Sequence, residues 1–127
     1  MKILVADDER LIREIARGLL TSAGYDVLEA SDGEQALALA RKEQPALILI
    51  DLVMPKMNGF QFVLEIRQDP QVKNTPILIM SALVCGSDTD DYIHDLDVAG
   101  FIDKDQLKTF LIFRVQKILS KQAHPAD

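Results

Sequence analysis

The sequence predicts a doubly wound α/β fold in which five parallel strands alternate with helices. The first observation is a set of short runs rich in Ile, Val and Leu, among them KILVA and ALILI, which are typical of strands buried on both faces. The second is the spacing of the apolar residues between these runs, which recur every three or four positions as in amphipathic helices. The alternation itself is the third, because it implies right-handed crossovers and a parallel sheet.

Capping and helix-breaking residues separate the elements of the first half of the chain. Gly24 ends the first helix, and Ser31 or Asp32 is placed to cap the second helix, which stops before Pro45. Pro70 breaks the third helix. The predicted elements are, in order, a strand at 2–6, a helix at about 10–23, a strand at about 25–29, a helix that begins after residue 32, a strand at 46–50 and, after the loop 52–58, a helix that ends at about residue 68.

The second half of the chain is predicted to complete the sheet. A strand at 77–80 is followed by a loop and a short helix within 83–98, where Gly86, Ser87 and several aspartates disfavour a longer helix. A strand at 101–102 precedes a final helix. The residues of that helix predicted to face the sheet are Leu107, Phe110, Leu111, Val115 and Ile118. Ile112 and Phe113 would then lie partly on its outer side, as a partner surface or, if the helix is slightly rotated, as core residues.

Length, charge and cysteine content restrict the class of protein. The 127 residues, 48% of them hydrophobic, suit one domain, predicted over residues 1–121 with a short polar tail at 122–127. A net charge of -6 opposes direct binding to nucleic acid or to an anionic membrane surface. The single cysteine excludes an internal disulfide, and there is neither a signal-peptide pattern nor an apolar stretch long enough for a membrane span. A cytoplasmic location is expected.

Charged or hydroxyl side chains follow the ends of four predicted strands. Asp7 and Asp8 follow the first strand, Asp51 the third, Ser81 the fourth, and Lys104 comes just after the fifth. Because the carboxyl ends of parallel strands line one crevice, these five side chains are predicted to converge on one site.

The chemistry of that site points to phosphoryl transfer. Two carboxylates about 5 Å apart repel by roughly 3 kcal/mol at an effective dielectric near 20, so three in one crevice need protonation or a cation. Magnesium fits, because it prefers oxygen ligands and often binds one or two carboxylates together with a phosphate. A carboxylate can also accept a phosphoryl group as an acyl phosphate. Asp51 is the best-placed acceptor, and Ser81 and Lys104 are placed to hold phosphoryl oxygens.

From Lys2 to about Ser120 the chain resembles the receiver domain of bacterial two-component response regulators. The motifs that carry the resemblance are VADDE, LILIDLVMPKMNG, ILIMSA and GFIDK. The resemblance implies a flavodoxin-like (βα)5 fold with the strand order 2-1-3-4-5. It also implies that a histidine kinase or a histidine phosphotransfer protein phosphorylates Asp51, and that the chain catalyses only its own phosphorylation and dephosphorylation.

The resemblance assigns further roles. Mg²⁺, or Mn²⁺, would be held by Asp8, Asp51 and the backbone carbonyl of Val53, with Asp7 supporting the metal through water. Phe101 would be an aromatic switch residue that moves inward when Ser81 closes on the phosphate. The last two helices and the strand between them would form the surface that controls an output domain, a partner protein or a second copy.

The sequence departs from the family pattern at one position near the site, and it leaves other functions possible. Asp105 follows Lys104 where the family usually has proline, so a cis peptide is not expected there. A receiver-like interaction module that acts without phosphorylation is the main alternative. The acidic ADDER segment disfavours a flavin-phosphate site, and the adjacency of Asp7 and Asp8 disfavours a phosphatase whose nucleophile and acid are one residue apart.

Overall fold

A computed structural model describes residues 1–82 and 97–123, and the five predicted strands lie in that part of the chain. The strands are β1 (Lys2–Ala6), β2 (Asp26–Ala30), β3 (Leu47–Asp51), β4 (Ile77–Ser81) and β5 (Gly100–Asp103). The α-helices of the described residues are α1 (Arg10–Ser22), α2 (Gly33–Glu43), α3 (Gly59–Gln68) and α4 (Leu107–Ala123), and a short 3-10 turn (Lys104–Gln106) leads into α4. The helix predicted within 83–98 lies almost entirely outside the described residues.

The strands form one parallel sheet in the order β2-β1-β3-β4-β5. This confirms the predicted doubly wound sheet and its strand order. Among the described helices, none combines the length and the hydropathy that a membrane span needs.

Side chains of β3 alternate between two buried layers. Ile48 and Ile50 pack on the face covered by α2 and α3, whereas Leu47 and Leu49 pack on the face covered by α1 and α4. Every residue of β3 is buried, which explains why this strand is the most continuously apolar run of the sequence. Asp51 ends this strand, so the fold places a carboxylate at the edge of the most buried part of the molecule.

The helix starts follow the capping residues of the sequence. Asp32 caps α2 and accepts a hydrogen bond from the Gln35 amide at 2.8 Å, which confirms one of the two predicted caps. At α3, Asn58 and Gln61 form a reciprocal capping box. These caps fix where each helix begins relative to the strand before it.

The orientation of α4 differs from the prediction at one position. The buried residues of the helix are Leu107, Leu111, Val115 and Leu119, a spacing of four. Phe110 was predicted to face the sheet, but 44% of it is exposed, because it precedes Leu111 by one position and therefore lies about 100° around the helix. Ile112 is half-buried against the core, and Phe113 is 56% exposed.

Candidate functional site

The predicted site residues meet at the carboxyl edge of the sheet. Asp7 follows β1, Asp51 ends β3, and Lys104 follows β5. Carboxylate oxygens of Asp7, Asp8 and Asp51 lie within 4.8 Å of one another. The parallel register produces this convergence, because it pairs Ala6 with Ile50 and so brings the ends of β1 and β3 side by side.

Lys104 is the cation of this cluster. Its Nζ lies 2.9 Å from Asp7 Oδ2, 3.1 Å from Asp51 Oδ2 and 3.1 Å from Glu9 Oε1. Only 8% of the Lys104 side chain is exposed, although the charged end of lysine normally reaches solvent. Glu9 was not among the predicted site residues. The only sequence signal for Glu9 was its position next to Asp7 and Asp8. That position did not indicate that the Glu9 side chain contacts Lys104.

Burial dominates the electrostatics of the two inner carboxylates. It raises the pKa of Asp7 from 3.8 to about 6, although a hydrogen bond from the Glu9 amide and the nearby Lys104 ammonium act in the opposite direction. Burial also raises the pKa of Asp51, again against the effect of Lys104. For Lys104 itself, burial alone would lower the pKa. The nearby carboxylates of Asp7, Glu9 and Asp51 outweigh burial, and the pKa of Lys104 is raised.

The two oxygens of Asp7 have different surroundings. Oδ1 accepts a hydrogen bond from the Glu9 amide at 2.8 Å. Oδ2 is buried and accepts no hydrogen bond, and it forms an ion pair with the Lys104 ammonium at 2.9 Å. A buried carboxylate oxygen without a hydrogen bond, next to two further carboxylates, is a donor set that suits a hard divalent cation such as Mg²⁺ or Mn²⁺.

The loop after Asp51 is packed tightly against the start of α3. The Val53 amide donates to Asp51 Oδ1 at 3.3 Å, and the Val53 side chain is exposed at the rim of the site. A Cβ on Gly59 would lie 2.9 Å from Leu52 Cα and 3.0 Å from the Asp51 carbonyl oxygen. The absence of a side chain at residue 59 therefore lets the loop after Asp51 approach the start of α3.

Ser81 and Phe101 lie on the two strands at the other side of the site. Ser81 ends β4, is partly exposed, and pairs in register with Asp103, the residue before Lys104. Phe101 is half-buried and packs against the core cluster that contains Ile79. The Arg114 guanidinium of α4 donates to the Phe101 backbone carbonyl. No cis peptide occurs in the described residues, so the Lys104–Asp105 bond is trans, as expected.

The chain matches known proteins along most of its length. Residues 3–116 match the family model described as the response regulator receiver domain. The transcriptional regulator ycf27 of Porphyridium aerugineum is 42% identical over 99 residues, which cover 78% of this chain and 39% of the relative. Response regulator RR06 of Streptococcus pneumoniae is 34% identical over 122 residues, 95% of this chain and 54% of that protein. The chain thus spans about one third to just over one half of the length of these and similar relatives.

Solved structures show the same architecture. CheY4, a chemotaxis response regulator of Vibrio cholerae, has a TM-score of 0.77 and 32% identity, with 89% of this chain and 97% of that chain covered. A response regulator of Chloroflexus aurantiacus has a TM-score of 0.86 and 27% identity, with 94% and 97% covered. With this fold, an acidic cluster at the sheet edge and a family match over residues 3–116, the chain belongs to the receiver domain family of response regulators.

Proposed function

We propose that Asp51 accepts a phosphoryl group from a histidine kinase or a histidine phosphotransfer protein, and that this modification switches a partner surface. The observation that carries the proposal is the position of the Lys104 ammonium, which lies 3.1 Å from Asp51 Oδ2 and also pairs with the carboxylates of Asp7 and Glu9. A buried cation that already touches the acceptor is placed to neutralise charge when a phosphoryl group arrives.

Each residue of the site has a role in the transfer. A carboxylate oxygen of Asp51 attacks phosphorus, a new oxygen–phosphorus bond forms, and the bond between phosphorus and the donor's imidazole nitrogen breaks, with its electron pair returning to nitrogen. Lys104 pairs with one phosphoryl oxygen, and the Ser81 hydroxyl donates to another. Asp8, Asp51 and the Val53 carbonyl would hold Mg²⁺ or Mn²⁺, with Asp7 in support, and the ion would supply further neutralisation of the phosphoryl charge.

The charge of the phosphoryl group supplies the free energy for switching. It adds nearly two negative charges, which draw Ser81 and Lys104 inward and let Phe101 follow. A change from 1:99 to 99:1 in a two-state equilibrium needs about 5.5 kcal/mol. Several charge-assisted hydrogen bonds of roughly 1.5–3 kcal/mol each are sufficient. The proposed output surface contains β5, α4 and the helix predicted within 83–98.

The output acts through protein contacts in this proposal. Several relatives are named as transcriptional regulators, and this chain spans only part of them. The chain carries a net charge of -6, which disfavours direct contact with nucleic acid. An output domain, a partner protein or a second copy bound at the α4 and β5 surface is the expected target. An interaction module that works without phosphorylation is the alternative.

Incubation with acetyl phosphate and Mg²⁺, followed by intact-mass measurement, tests the proposal. The native protein is expected to gain about 80 Da, the mass of one phosphoryl group. Asp51→Asn is expected to gain nothing, whereas Asp26→Asn, which changes an exposed aspartate at the start of β2, behaves as the native protein does. No gain in the native protein would favour the module that needs no phosphorylation. An equal gain in Asp51→Asn would show that a different residue is the acceptor and would overturn the assignment of Asp51.

A further inference from the structure

Glu9 occupies the N-cap position of α1 but does not cap the helix. Its backbone is extended, with φ -86° and ψ 113°, and its side chain makes no capping hydrogen bond. Short side chains such as Ser, Thr, Asp and Asn normally occupy this position, because they reach the first amides of the helix. The Glu9 carboxylate instead lies 3.1 Å from Lys104 Nζ. The side chain at this position therefore contributes to the site rather than to the helix.

The ammonium of Lys104 is shared among three carboxylates. Nζ donates hydrogen bonds to Glu9 Oε1 and to Asp51 Oδ2, each at 3.1 Å, and it forms an ion pair with Asp7 Oδ2 at 2.9 Å. A phosphoryl oxygen on Asp51 would compete with Glu9 for this positive charge. The Glu9 side chain is 59% exposed, whereas those of Asp7 and Asp51 are 0% and 7% exposed, so Glu9 is the partner most easily exchanged.

We propose that Glu9 is a positioning residue that holds Lys104 in the unphosphorylated protein and competes with the phosphoryl group for its ammonium. This inference rests on the proposed phosphorylation of Asp51. Removal of the Glu9 charge releases one donor of Lys104. A phosphoryl group, with nearly two negative charges, gains more from that donor than a carboxylate with one. The Glu9 carboxylate therefore slows phosphorylation and shortens the lifetime of the phosphorylated form.

Rates of phosphorylation by acetyl phosphate with Mg²⁺ test the role of Glu9. Glu9→Gln is expected to react about threefold faster and to lose the phosphoryl group about threefold more slowly than the native protein, the size expected for a largely exposed ion pair. The matched control is Glu14→Gln, which removes the same charge from α1, where Glu14 pairs with Arg10 at 3.0 Å and not with Lys104. Both of its rates are expected to equal those of the native protein.

Substitution of Lys104 tests whether Glu9 acts through this lysine or simply repels the negatively charged acetyl phosphate. Lys104→Arg keeps the charge of the buried cation and offers five N–H donors, so the phosphoryl group need not displace Glu9. Glu9→Gln is expected to change neither rate in that background. Lys104→Gln serves as a second background if the arginine variant does not fold.

The outcomes separate this inference from the proposed function. If native protein is phosphorylated on Asp51 and Glu9→Gln reacts at the native rate, the role of Glu9 is wrong and the proposed function stands. The inference is also overturned if Glu9→Gln accelerates phosphorylation equally in the native chain and in the Lys104 variant. Glu9 would then act directly on acetyl phosphate and not through Lys104. If native protein takes no phosphoryl group, both proposals fail.

Discussion

Asp7 is a buried carboxylate whose folded environment favours the protonated form. Its pKa is about 6 in the folded protein against 3.8 for an ordinary aspartate, and burial is the main cause. Between these two values the folded state binds more protons than the unfolded state, so stability falls as the pH rises through this window. Above it, the difference corresponds to roughly 3 kcal/mol of lost stability, as an order of magnitude.

Asp7→Asn is therefore expected to be more stable than the native protein at alkaline pH in the absence of divalent cations. We expect its free energy of unfolding to exceed the native value by about 1–3 kcal/mol at about pH 8, and the difference to shrink as the pH falls to about 4. Urea denaturation in EDTA measures both values. Asp26→Asn, at an exposed position, is the control. If the free energies of unfolding of Asp7→Asn and the native protein differ by the same amount at both pH values, the raised pKa of Asp7 is wrong.

At the level of single residues, the sequence predicted which side chains meet but not how they share contacts. Asp7, Asp51 and Lys104 follow strands, so parallel pairing alone places them together. The contact between Glu9 and Lys104 joins residues 95 positions apart and depends on side-chain direction. No periodicity in the sequence encodes that direction, so this member of the site became evident only in the structure.

Two glycines in helices are expected to respond in opposite ways to the same substitution. Gly18 lies on the exposed side of α1, and a Cβ there would have no atom within 4 Å apart from those of its own stretch of helix. Gly18→Ala is expected to stabilise the protein by about 0.5–1 kcal/mol. Gly59 begins α3, and its Cβ would lie 2.9 Å from Leu52 Cα, so Gly59→Ala is expected to destabilise by about 1–3 kcal/mol. Thermal and urea unfolding of the two variants shows whether each free energy of unfolding rises or falls relative to the native protein.

The Gly59 substitution also has a consequence at the site. Leu52 and Val53 follow Asp51 directly, so a displaced loop moves the Val53 amide that donates to Asp51 Oδ1. We expect Gly59→Ala to slow phosphorylation, whereas Gly18→Ala leaves it unchanged. Equal rates in the two variants would show that the loop tolerates the added methyl group without moving near Asp51.

At the level of elements, strands were easier to predict than helix faces. Each strand was placed within one or two residues. The inner strands β1, β3 and β4 were the clearest, because a buried parallel strand appears as an uninterrupted apolar run, whereas the edge strand β2 contains Asp26 and Glu29. The face of α4 was harder, since apolar residues occur almost all around this helix. Phe110 and Leu111 are adjacent and both apolar, and only packing against the sheet decides that Leu111 is buried and Phe110 is not.

At the level of the whole molecule, the exposed aromatic residues of α4 lie on the proposed output surface. Phe110 and Phe113 are 44% and 56% exposed, and Lys117 Nζ lies 5.4 Å from the ring centroid of Phe113. The described part of α4 carries four cations and no acidic residue, although the chain as a whole is acidic. An apolar pair flanked by positive charge favours association with an acidic surface.

Phe113→Glu is expected to leave the fold intact and to prevent association. Because the side chain is largely exposed, the free energy of unfolding should change by less than about 0.5 kcal/mol. If the target is a second copy, we expect the phosphorylated native chain to sediment as a dimer and the phosphorylated variant as a monomer. Leu111→Glu is the control for a core residue. It would bury a charge in the core and should therefore unfold the protein. Loss of folding in Phe113→Glu would assign this ring to the core instead.

The fold class was predictable because the alternation of strands and helices admits few topologies. The predicted domain limits, 1–121 with a tail at 122–127, stay a prediction. The helix predicted within 83–98 also stays a prediction, since residues 83–96 lie outside the described chain. The glycine, serine and aspartate residues of this segment have low helix propensity and are typical of loops, so the apolar pattern of a helix is weak there.

The hydrogen bond from Arg114 to the Phe101 carbonyl fastens α4 to the last strand through the peptide backbone. Since the aromatic ring takes no part in this bond, rotation about χ1 of Phe101 leaves the bond intact. A turn of the ring would therefore not loosen the helix from the strand. A rotation of one side chain would then reshape the molecular exterior while the scaffold beneath keeps its geometry.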